Sequence, residues 1–422
     1  MDLWTEFDDH QQPLDASGRA SHTRRLTERA ILSSLRNWLL QDYAAAYCRS
    51  LAAMRIFRRC YWVDALGIDN KANTQPAEEQ SESMKPGRKG RNKTPPTIPP
   101  ALQPICSLSQ LLAQESKPIT LQSFLLEAGS SKRKNTRLAR NGSTPAPKPI
   151  ALPKNGGIIH ASWLEVAPPL LQELEQSPAI FLLNPFGPRM FTYDDLAPLY
   201  QRTVPTELCF LVSHKQLEAS LLAARRTPEQ TTLLTGLLRT DRWKTLPIAE
   251  EELTQTLDGL LDFFIASMQR HFLLPVQRIA LPMQIRPAVA EDIPYTLIFA
   301  TRRQDSLFSM NDAVCLYRRQ ADEKSWQGVL NEEWFAQQEQ LRLSTNLQQL
   351  YQQTLQQGRV QRTRRWPDLR QQLLLINFGQ FTLQDYDAII HQLLLNKEVR
   401  CEWRQRLEGE RVPGNDDTLL WN

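Results

Sequence analysis

Seven short apolar segments between residues 60 and 301 constrain the fold of this chain more than any other feature. Most of them are continuously apolar rather than alternating, which is typical of strands covered by helices on both faces. Helical patterns separate them, over 163–176, 192–201 and 250–273. Strand–helix alternation predicts a mostly parallel sheet with right-handed crossovers. The segments are CYWVDAL (60–66), LQSFLLE (121–127), GIIHAS (157–162), AIFLLNP (179–185), ELCFLVS (207–213), RIALPMQI (278–285) and YTLIFAT (295–301).

The last two segments are joined by only nine residues, Arg286 to Pro294. A parallel connection needs a crossover of about a dozen residues or more, so this pair is predicted to be antiparallel. Seven strands, mostly parallel and ending in an antiparallel pair, are the layout of the methyltransferase sheet. The sequence therefore predicts an α/β fold with a methyltransferase-like, Rossmann-like sheet over 23–330.

The segments that flank and interrupt the sheet differ from it in composition. Residues 1–22 are polar and are predicted to form a flexible tail. A helix is predicted from Thr23, with one apolar face and a basic face that includes Arg36, interpreted as solvated charge. Two insertions, about 70–100 and 128–156, are rich in polar and basic residues. Such composition cannot bury enough apolar surface to become ordered, so both are predicted to be flexible.

From about residue 331 the sequence changes to Gln-rich helical patterns followed by two short strand patterns. Thr382 and Asp385 form a capping-box pattern at the start of the last helix. Helices followed by a hairpin are winged-helix order, so 331–422 is predicted to be a winged-helix-like module. Helices are predicted over 366–377 and 382–398, and strands over 399–404 and 417–422.

Cysteine, histidine and hydropathy patterns restrict the function class. The six cysteines show no CxxC or similar metal spacing, and the six histidines show no ligand pairing, so no metal site is predicted. No apolar stretch approaches the roughly 20 residues that a membrane span needs. The polar, acidic start of the chain is unlike a signal peptide. These patterns predict a cytoplasmic protein without a membrane-spanning segment.

Polar and small residues follow the first four predicted strands. In an open α/β sheet, ligands bind beyond the carboxyl ends of the strands, near the point where strand order reverses. Because these ends lie on one edge, the residues that follow them are expected to meet. The segments are 64–67, Glu127, 160–162 and 184–187.

Asp64, Gly67 and Glu127 are candidates for binding a nucleotide-like cofactor. Gly67 has no Cβ, so the backbone of its turn could approach the methionine part of a cofactor closely. An ordinary strand-end turn explains one glycine equally well. Glu127 ends an otherwise apolar run and could accept both ribose hydroxyls of an adenosine, or could face water.

Asn184, Pro185 and Phe186 are candidates for the reacting centre. In amino-group methyltransferases, an Asn or Asp at this point accepts hydrogen bonds from the target amine, and a neighbouring aromatic ring stacks on the flipped base. Asn184 could do the first and Phe186 the second. A strand-to-helix turn, which Asn, Pro and Gly favour for backbone reasons, explains the same residues.

Basic stretches outside the sheet are candidates for contact with nucleic-acid phosphates. Solvated linker charge is the alternative explanation. The predicted helix 382–396 carries Asp385 and Asp387, which makes it a poor surface for a phosphate-lined groove, so the Arg-rich segment before it is the better candidate. A protein partner of the C-terminal module is equally compatible. The candidate residues are Lys132, Arg133, Lys134, Arg359, Arg362, Arg364 and Arg365.

These segments resemble the three-Cys-motif partner family, a methyltransferase-like group found in bacteria and mobile elements. The resemblance runs from about Leu26 to Arg319. CYWVDALGID stands where the family has a strand ending in an Asp-Gly-Phe-Ala-Gly-type motif, and AIFLLNPFG corresponds to its Asp-Pro-Phe-Gly strand. The most specific match is YTLIFATRRQDSLFSMNDAV, which includes Tyr295, Phe299, Thr301, Arg302, Met310, Asp312 and Ala313.

The resemblance implies S-adenosylmethionine as the cofactor and leaves two functions open. The first is methyl transfer to an amino group of a nucleic-acid base, of the N6-adenine type. Asn184 would orient the amine, and Asp64, Gly67 and Glu127 would bind the cofactor. The second is a catalytically inactive nucleic-acid-binding or assembly subunit of a bacterial defence or mobile-element system.

Overall fold

The computed structural model describes nine ranges of the chain, and several predicted features lie outside them. The tail 1–22, the insertion 70–100 and nearly all of 128–156, with Lys132, Arg133 and Lys134, lie outside the described residues. The described ranges are 31–67, 102–127, 152–153, 156–187, 189–247, 252–281, 295–326, 332–404 and 412–422.

A Rossmann-like α/β sheet of seven strands forms the centre of the described chain, and all seven predicted strand segments are confirmed. Its strand order is β3-β2-β1-β4-β5-β7-β6. Neighbours from β3 to β5 are parallel, whereas β7 runs antiparallel to both β5 and β6, so the predicted antiparallel pair is confirmed. The strands are β1 Arg59–Asp64, β2 Thr120–Leu126, β3 Gly157–Ile159, β4 Ala179–Leu183, β5 Thr206–Ser213, β6 Gln277–Leu281 and β7 Tyr295–Ala300.

Helices cover both faces of this sheet. The first described helix, α1 (31–38), continues through a π-helical stretch, Leu39–Ala44, into α2. A short 3₁₀ turn, Arg242–Thr245, precedes α8. The remaining helices are α2 Ala45–Ala53, α3 Gln103–Gln114, α4 Trp163–Glu173, α5 Tyr193–Tyr200, α6 His214–Arg226, α7 Pro228–Leu238, α8 Leu253–Gln269 and α9 Gln304–Trp326.

The continuous apolar runs reflect burial on both sides of the sheet. Every residue of β4 and β5 is buried. Successive side chains of a strand point to opposite faces. In β1, Cys60 and Trp62 accordingly join one apolar cluster while Tyr61 and Val63 join the other.

The C-terminal region has the predicted order of helices followed by a hairpin. The capping box of α12 is confirmed: the Thr382 hydroxyl accepts from the Asp385 N–H at 3.3 Å, and the Asp385 carboxylate accepts from the Thr382 N–H at 2.8 Å. β8 and β9 pair antiparallel. The elements are α10 Glu332–Gln361, α11 Trp366–Ile376, α12 Leu383–Leu395, β8 Val399–Glu402 and β9 Thr418–Trp421.

Helix α9 joins this region to the sheet, and the segment with the most specific family resemblance forms the joint. Asn311 Nδ2 donates to the Phe381 carbonyl at 2.8 Å, and Asp312 Oδ1 accepts from the Leu383 N–H at 2.9 Å. The Ala313 carbonyl accepts from the indole N–H of Trp38 at 3.2 Å. This part of the segment therefore orders the packing of α9 against α1 and against the C-terminal region.

Candidate functional site

The carboxyl ends of β1, β2 and β4 meet at one edge of the sheet. Asp64 lies in register with Leu125 of β2 and Leu182 of β4. Glu127 and Asn184 each follow their register partner by two residues, so they lie at the same edge. A cavity of about 450 Å³, here called the strand-end cavity, opens there. It is lined by 65–67, Leu126, 160–163, Glu165, Asn184, Phe186, Gly187, Arg189, Phe191 and Gln216.

Asp64 lies beneath this cavity and stabilises its own turn. The side chain is 4% exposed, and its Oδ2 lies 2.7 Å from Arg36 Nε. Its Oδ1 accepts from the Leu66 N–H at 3.0 Å. Arg36 also donates through Nη2 to the Gly67 carbonyl at 2.7 Å. The interpretation of Arg36 as solvated charge is therefore wrong, because α1 packs close enough for its guanidinium to neutralise a buried carboxylate.

Gly67 supplies backbone freedom and open space. Its φ is +86°, a conformation that L side chains rarely adopt, and a Cβ built there would meet nothing within 4 Å in the described chain. Leu66 packs its side chain partly against the apolar core while it lines the cavity. The bulk of Leu66 therefore does not fill the space beside Gly67.

Glu127 contacts His160 behind the cavity wall. Glu127 Oε2 lies 2.6 Å from His160 Nδ1, with the carboxylate side chain 12% exposed and the imidazole 70% exposed. This oxygen is buried and receives no aligned hydrogen bond. A rotation of the exposed imidazole would uncover an acceptor at the position predicted for ribose contact.

Trp163 places an unused donor in the wall of the same cavity. The residue is 3% exposed, and its indole N–H is buried without an acceptor in the described chain. Its ring packs edge-on against Phe181, with centroids 5.9 Å apart. Sequence reasoning missed Trp163, although its place directly after the third strand end was a signal.

Two opposite charges lie at the rim of the cavity: Glu165 at the start of α4 and Arg189 in the segment after β4. A capping box of Ser162 and Glu165 begins the helix, and the Ser162 N–H donates to the Glu165 carboxylate at 2.8 Å. That backbone hydrogen bond, with one from the Ser162 hydroxyl, lowers the pKa of Glu165. Arg189 lies 3.5 Å from the same carboxylate and is 67% exposed. The rim is therefore close to electrically neutral.

Asn184 and Phe186 line the cavity in different ways. Asn184 Oδ1 accepts from the Phe186 N–H at 3.0 Å, and its Nδ2 donates to Gln216 Oε1. Pro185 is buried, and its carbonyl accepts from the Phe191 N–H at 3.1 Å. Phe186 is fully buried, with its ring edge-on to Phe264 at 5.5 Å. The stacking role predicted for Phe186 does not fit this geometry, because the turn directs its ring into the core.

A second cavity adjoins the first. It has a volume of about 520 Å³ and lies between α6 and the start of α7, and is here called the α6–α7 cavity. Gly187 and Gln216 line both cavities. Small residues along α6 were the sequence signal for this space, and they were not recognised. Its lining is Gly187, Gln216, Ala219, Ser220, Ala223, Thr227, Glu229 and Gln230.

The arginines predicted to bind nucleic acid divide into two groups. Arg359 is paired: its Nη2 lies 2.8 Å from Glu398 Oε2, and its Nε donates to the Asn422 carbonyl at 2.8 Å. The other three are exposed and form no ion pair with another described residue; they are Arg362, Arg364 and Arg365.

The acids of α12 are also engaged inside the protein. Asp385 pairs with Arg319 at 2.7 Å, and Asp387 pairs with Arg370 at 2.7 Å. Within the described ranges, no three His, Cys, Asp or Glu side chains form a group that could bind a metal ion. No helix in those ranges is both long and apolar enough to cross a bilayer.

Comparison with protein-family models, with curated proteins and with solved structures finds no match to this chain.

Proposed function

We propose that this chain binds S-adenosylmethionine in the strand-end cavity and transfers the methyl group to an amino nitrogen oriented by Asn184. One observation carries the proposal: a sheet of order β3-β2-β1-β4-β5-β7-β6 gathers Gly67, Trp163 and Asn184 around one cavity of about 450 Å³. This layout, with one antiparallel strand between the fifth and sixth, is that of methyltransferase sheets. Small-molecule sites have volumes of about 300–1,000 Å³, so the cavity is large enough for the cofactor.

Two groups that line the cavity, and a third behind its wall, fit this cofactor. The open space at Gly67 lets backbone approach its methionine part. The buried Glu127 Oε2, which lacks an aligned donor, can accept a ribose hydroxyl once the His160 ring rotates. The unused indole N–H of Trp163 can donate to an acceptor of the adenosine. Asp64 acts through the turn, because Arg36 and the Leu66 N–H occupy its carboxylate.

S-adenosylmethionine, when bound, supplies an electrophilic methyl carbon that the lone pair of an uncharged nitrogen attacks, while the electrons of the broken C–S bond stay on sulfur. Asn184 Oδ1 has a second lone pair, beyond the one used by the Phe186 N–H, and accepts an N–H of the target. One proton is released to water overall. The contribution of the protein is positioning, which suits a site whose nearby charges are already neutralised.

Calorimetric titration with S-adenosylmethionine and with its demethylated product tests this proposal. We expect saturable heat with both, and loss of affinity by about tenfold or more in Ala161→Leu, which adds bulk to the cavity wall. Ala219→Leu is the matched control, because Ala219 lines only the α6–α7 cavity. The absence of heat with both compounds in folded wild-type protein would contradict the proposal.

A second candidate function, nucleic-acid binding, is favoured by the three exposed arginines 362, 364 and 365. The Leu419 N–H donates to the Arg364 carbonyl at 2.7 Å, so this segment runs beside β9 on the surface of the winged-helix-like region. Exposed arginines without an internal partner can contact phosphates without losing an ion pair.

Fluorescence anisotropy with labelled oligonucleotides over a salt series tests this second candidate. Replacing all three arginines by Gln should weaken binding and reduce the salt slope by about 2 to 3. Arg404→Gln is the control, since Arg404 is exposed but lies 3.3 Å from Asp416. Binding that is unchanged in the triple variant would exclude this surface.

A further inference from the structure

The two cavities meet at Gln216, whose side chain spans the boundary. Gly187 and Gln216 line both spaces, and Gln216 Oε1 accepts from Asn184 Nδ2. Gln216 is exposed, so its side chain can rotate without breaking core packing. Such a rotation would join the cavities next to the amide of Asn184.

We propose that the α6–α7 cavity is the acceptor subsite, and that it takes the amino group of a lysine-type side chain in a polypeptide. This inference rests on the proposed methyl transfer and names its substrate class. Gln216 is then a positioning residue: its amide oxygen accepts from Asn184 Nδ2 and holds the Asn184 amide, and its rotation lets an incoming amine reach Asn184 Oδ1.

Ser220 places a hydroxyl group in the wall of the α6–α7 cavity. The residue is 6% exposed and lines that cavity. A hydroxyl oxygen accepts hydrogen bonds as well as donating one, so it offers a polar ligand in the cavity a partner.

The charge and hydrogen-bonding character of the lining select the ligand class. Among the lining residues there is one carboxylate, Glu229, and there is no Lys, Arg or aromatic residue. Oxygen acceptors come from Gln216, Ser220, Thr227 and Gln230. An ammonium group has three donors and no acceptor, so it matches this lining. The bound ammonium loses one proton to water before methyl transfer, which leaves the nitrogen with the lone pair that attacks the methyl carbon.

A nucleic-acid substrate fits the same cavity poorly. Binding of a nucleic-acid strand uses cations for the phosphates and aromatic rings for the bases, and the lining has neither. Phe186 directly precedes Gly187, which lines both cavities, but its ring is fully buried. These observations favour a polypeptide amine over a nucleobase.

Ligand-observed NMR on the full chain tests the inference with Nα-acetyl-lysine amide and deoxyadenosine as probes, each with and without the demethylated cofactor. We expect saturation transfer to the lysine probe. Ala219→Leu should abolish it by filling the cavity, and Glu229→Gln should weaken binding by about threefold, the size expected for an exposed ion pair. Glu218→Gln, on α6 outside both linings, is the matched control.

The outcomes separate this inference from the proposed function. Cofactor binding without a lysine signal, or a lysine signal that survives Ala219→Leu, would overturn the inference alone. A deoxyadenosine signal that Ala219→Leu removes would assign the cavity to a base and also overturn it. A cavity-dependent lysine signal in protein that binds no cofactor would support an amine site and overturn methyl transfer.

Discussion

The two ends of the central sheet bury a carboxylate in opposite ways. At the carboxyl ends of the strands, Asp64 faces the guanidinium of Arg36 at 2.7 Å, beside an open cavity. At the other end, Glu207 is fully buried on β5 and accepts from the Tyr43 hydroxyl at 2.9 Å. Burial raises the pKa of Glu207 to about 7, and the hydrogen bond from the Tyr43 hydroxyl is one of the contacts that lower it.

The difference separates an open end of the sheet from a closed one. Arg36 pairs with the Asp64 carboxylate and donates to the Gly67 carbonyl, and these contacts fix the turn that borders open space. Neutral donors surround Glu207, and the nearby guanidinium of Arg303 pairs with Asp305 instead. The Glu207 end is therefore a closed core, in which a carboxylate is easily protonated, and the Asp64 end is a fixed rim around a cavity.

Removal of Arg36 tests the Asp64 end of the sheet and should have the largest effect on the free energy of unfolding. Arg36→Ala leaves the buried Asp64 without a cation, and we expect the free energy of unfolding to fall by about 2–3 kcal/mol, a buried-pair loss reduced because Arg36 is partly exposed. Urea denaturation measures this. Arg49→Ala is the control, since its pair with Glu115 is exposed and contributes about 1 kcal/mol or less. An equal loss of unfolding free energy in Arg36→Ala and Arg49→Ala would show that the Arg36–Asp64 pair stabilises the protein no more than an exposed ion pair does.

Replacement of Glu207 tests the second half through pH. The pKa of Glu207 in the folded state is raised above its unfolded value of about 4.3. Between these two pKa values, the folded chain therefore keeps a proton on Glu207 that the unfolded chain has lost. The free energy of unfolding of the wild type therefore falls as pH rises through this window, and Glu207→Gln avoids that fall. We expect the variant to be more stable by about 1–3 kcal/mol at pH 8, with a smaller difference at pH 5.

Urea denaturation at pH 5 and at pH 8 measures the stability difference between Glu207→Gln and the wild type. Glu165→Gln provides a comparison in which the pH dependence should change in the opposite sense. Glu165 lies at the cavity rim, where hydrogen bonds from Ser162 lower its pKa. Its stabilising contribution is therefore present at high pH and is lost as pH falls through the folded-state pKa. The two variants should shift the pH dependence in opposite directions, and the same direction in both would contradict the comparison.

Removal of the Tyr43 hydroxyl should have an intermediate effect. Tyr43→Phe takes away a donor to the buried Glu207, and we expect a loss of about 1–2 kcal/mol, larger at pH 8 than at pH 5. Tyr61→Phe is the control: Tyr61 is buried and stacks on Phe124 at 5.7 Å, and its hydroxyl forms no hydrogen bond with another described residue. Thermal unfolding of both variants measures the difference: Tyr43→Phe should be destabilised more than Tyr61→Phe.

A change at the boundary of the two cavities should have the smallest effect on stability. Gln216 is exposed, so Gln216→Ala should alter the free energy of unfolding by about 0.5 kcal/mol or less. The same variant should alter lysine-probe binding if Gln216 positions the acceptor. A stability loss comparable to that of Arg36→Ala would show that Gln216 belongs to the folded core instead.

Local pattern was enough to predict the sheet. Apolar runs identified all seven strands, and most of these runs are continuous because strands such as β4 and β5 are buried on both faces. The short link from Arg286 to Pro294 fixed the antiparallel pair, because chain length limits the connections that are possible. The meeting of the strand ends beyond Asp64 and Asn184 followed from parallel pairing alone.

Contacts between distant residues were not predictable in this way. Arg36 and Asp64 lie 28 residues apart, and their pairing depends on how α1 packs across β1. The α6–α7 cavity exists because small residues of α6 face the start of α7 and Gly187, a juxtaposition that no single segment encodes.

The sequence by itself determined the strands, their directions and the edge at which their carboxyl ends meet, because hydropathy period and linker length are local properties. Only the tertiary structure decided that Phe186 turns into the core, that Arg36 neutralises Asp64, and that Gln216 separates two cavities. Side-chain direction at the end of a strand depends on the helices that pack above it, and those contacts form between segments far apart in the chain.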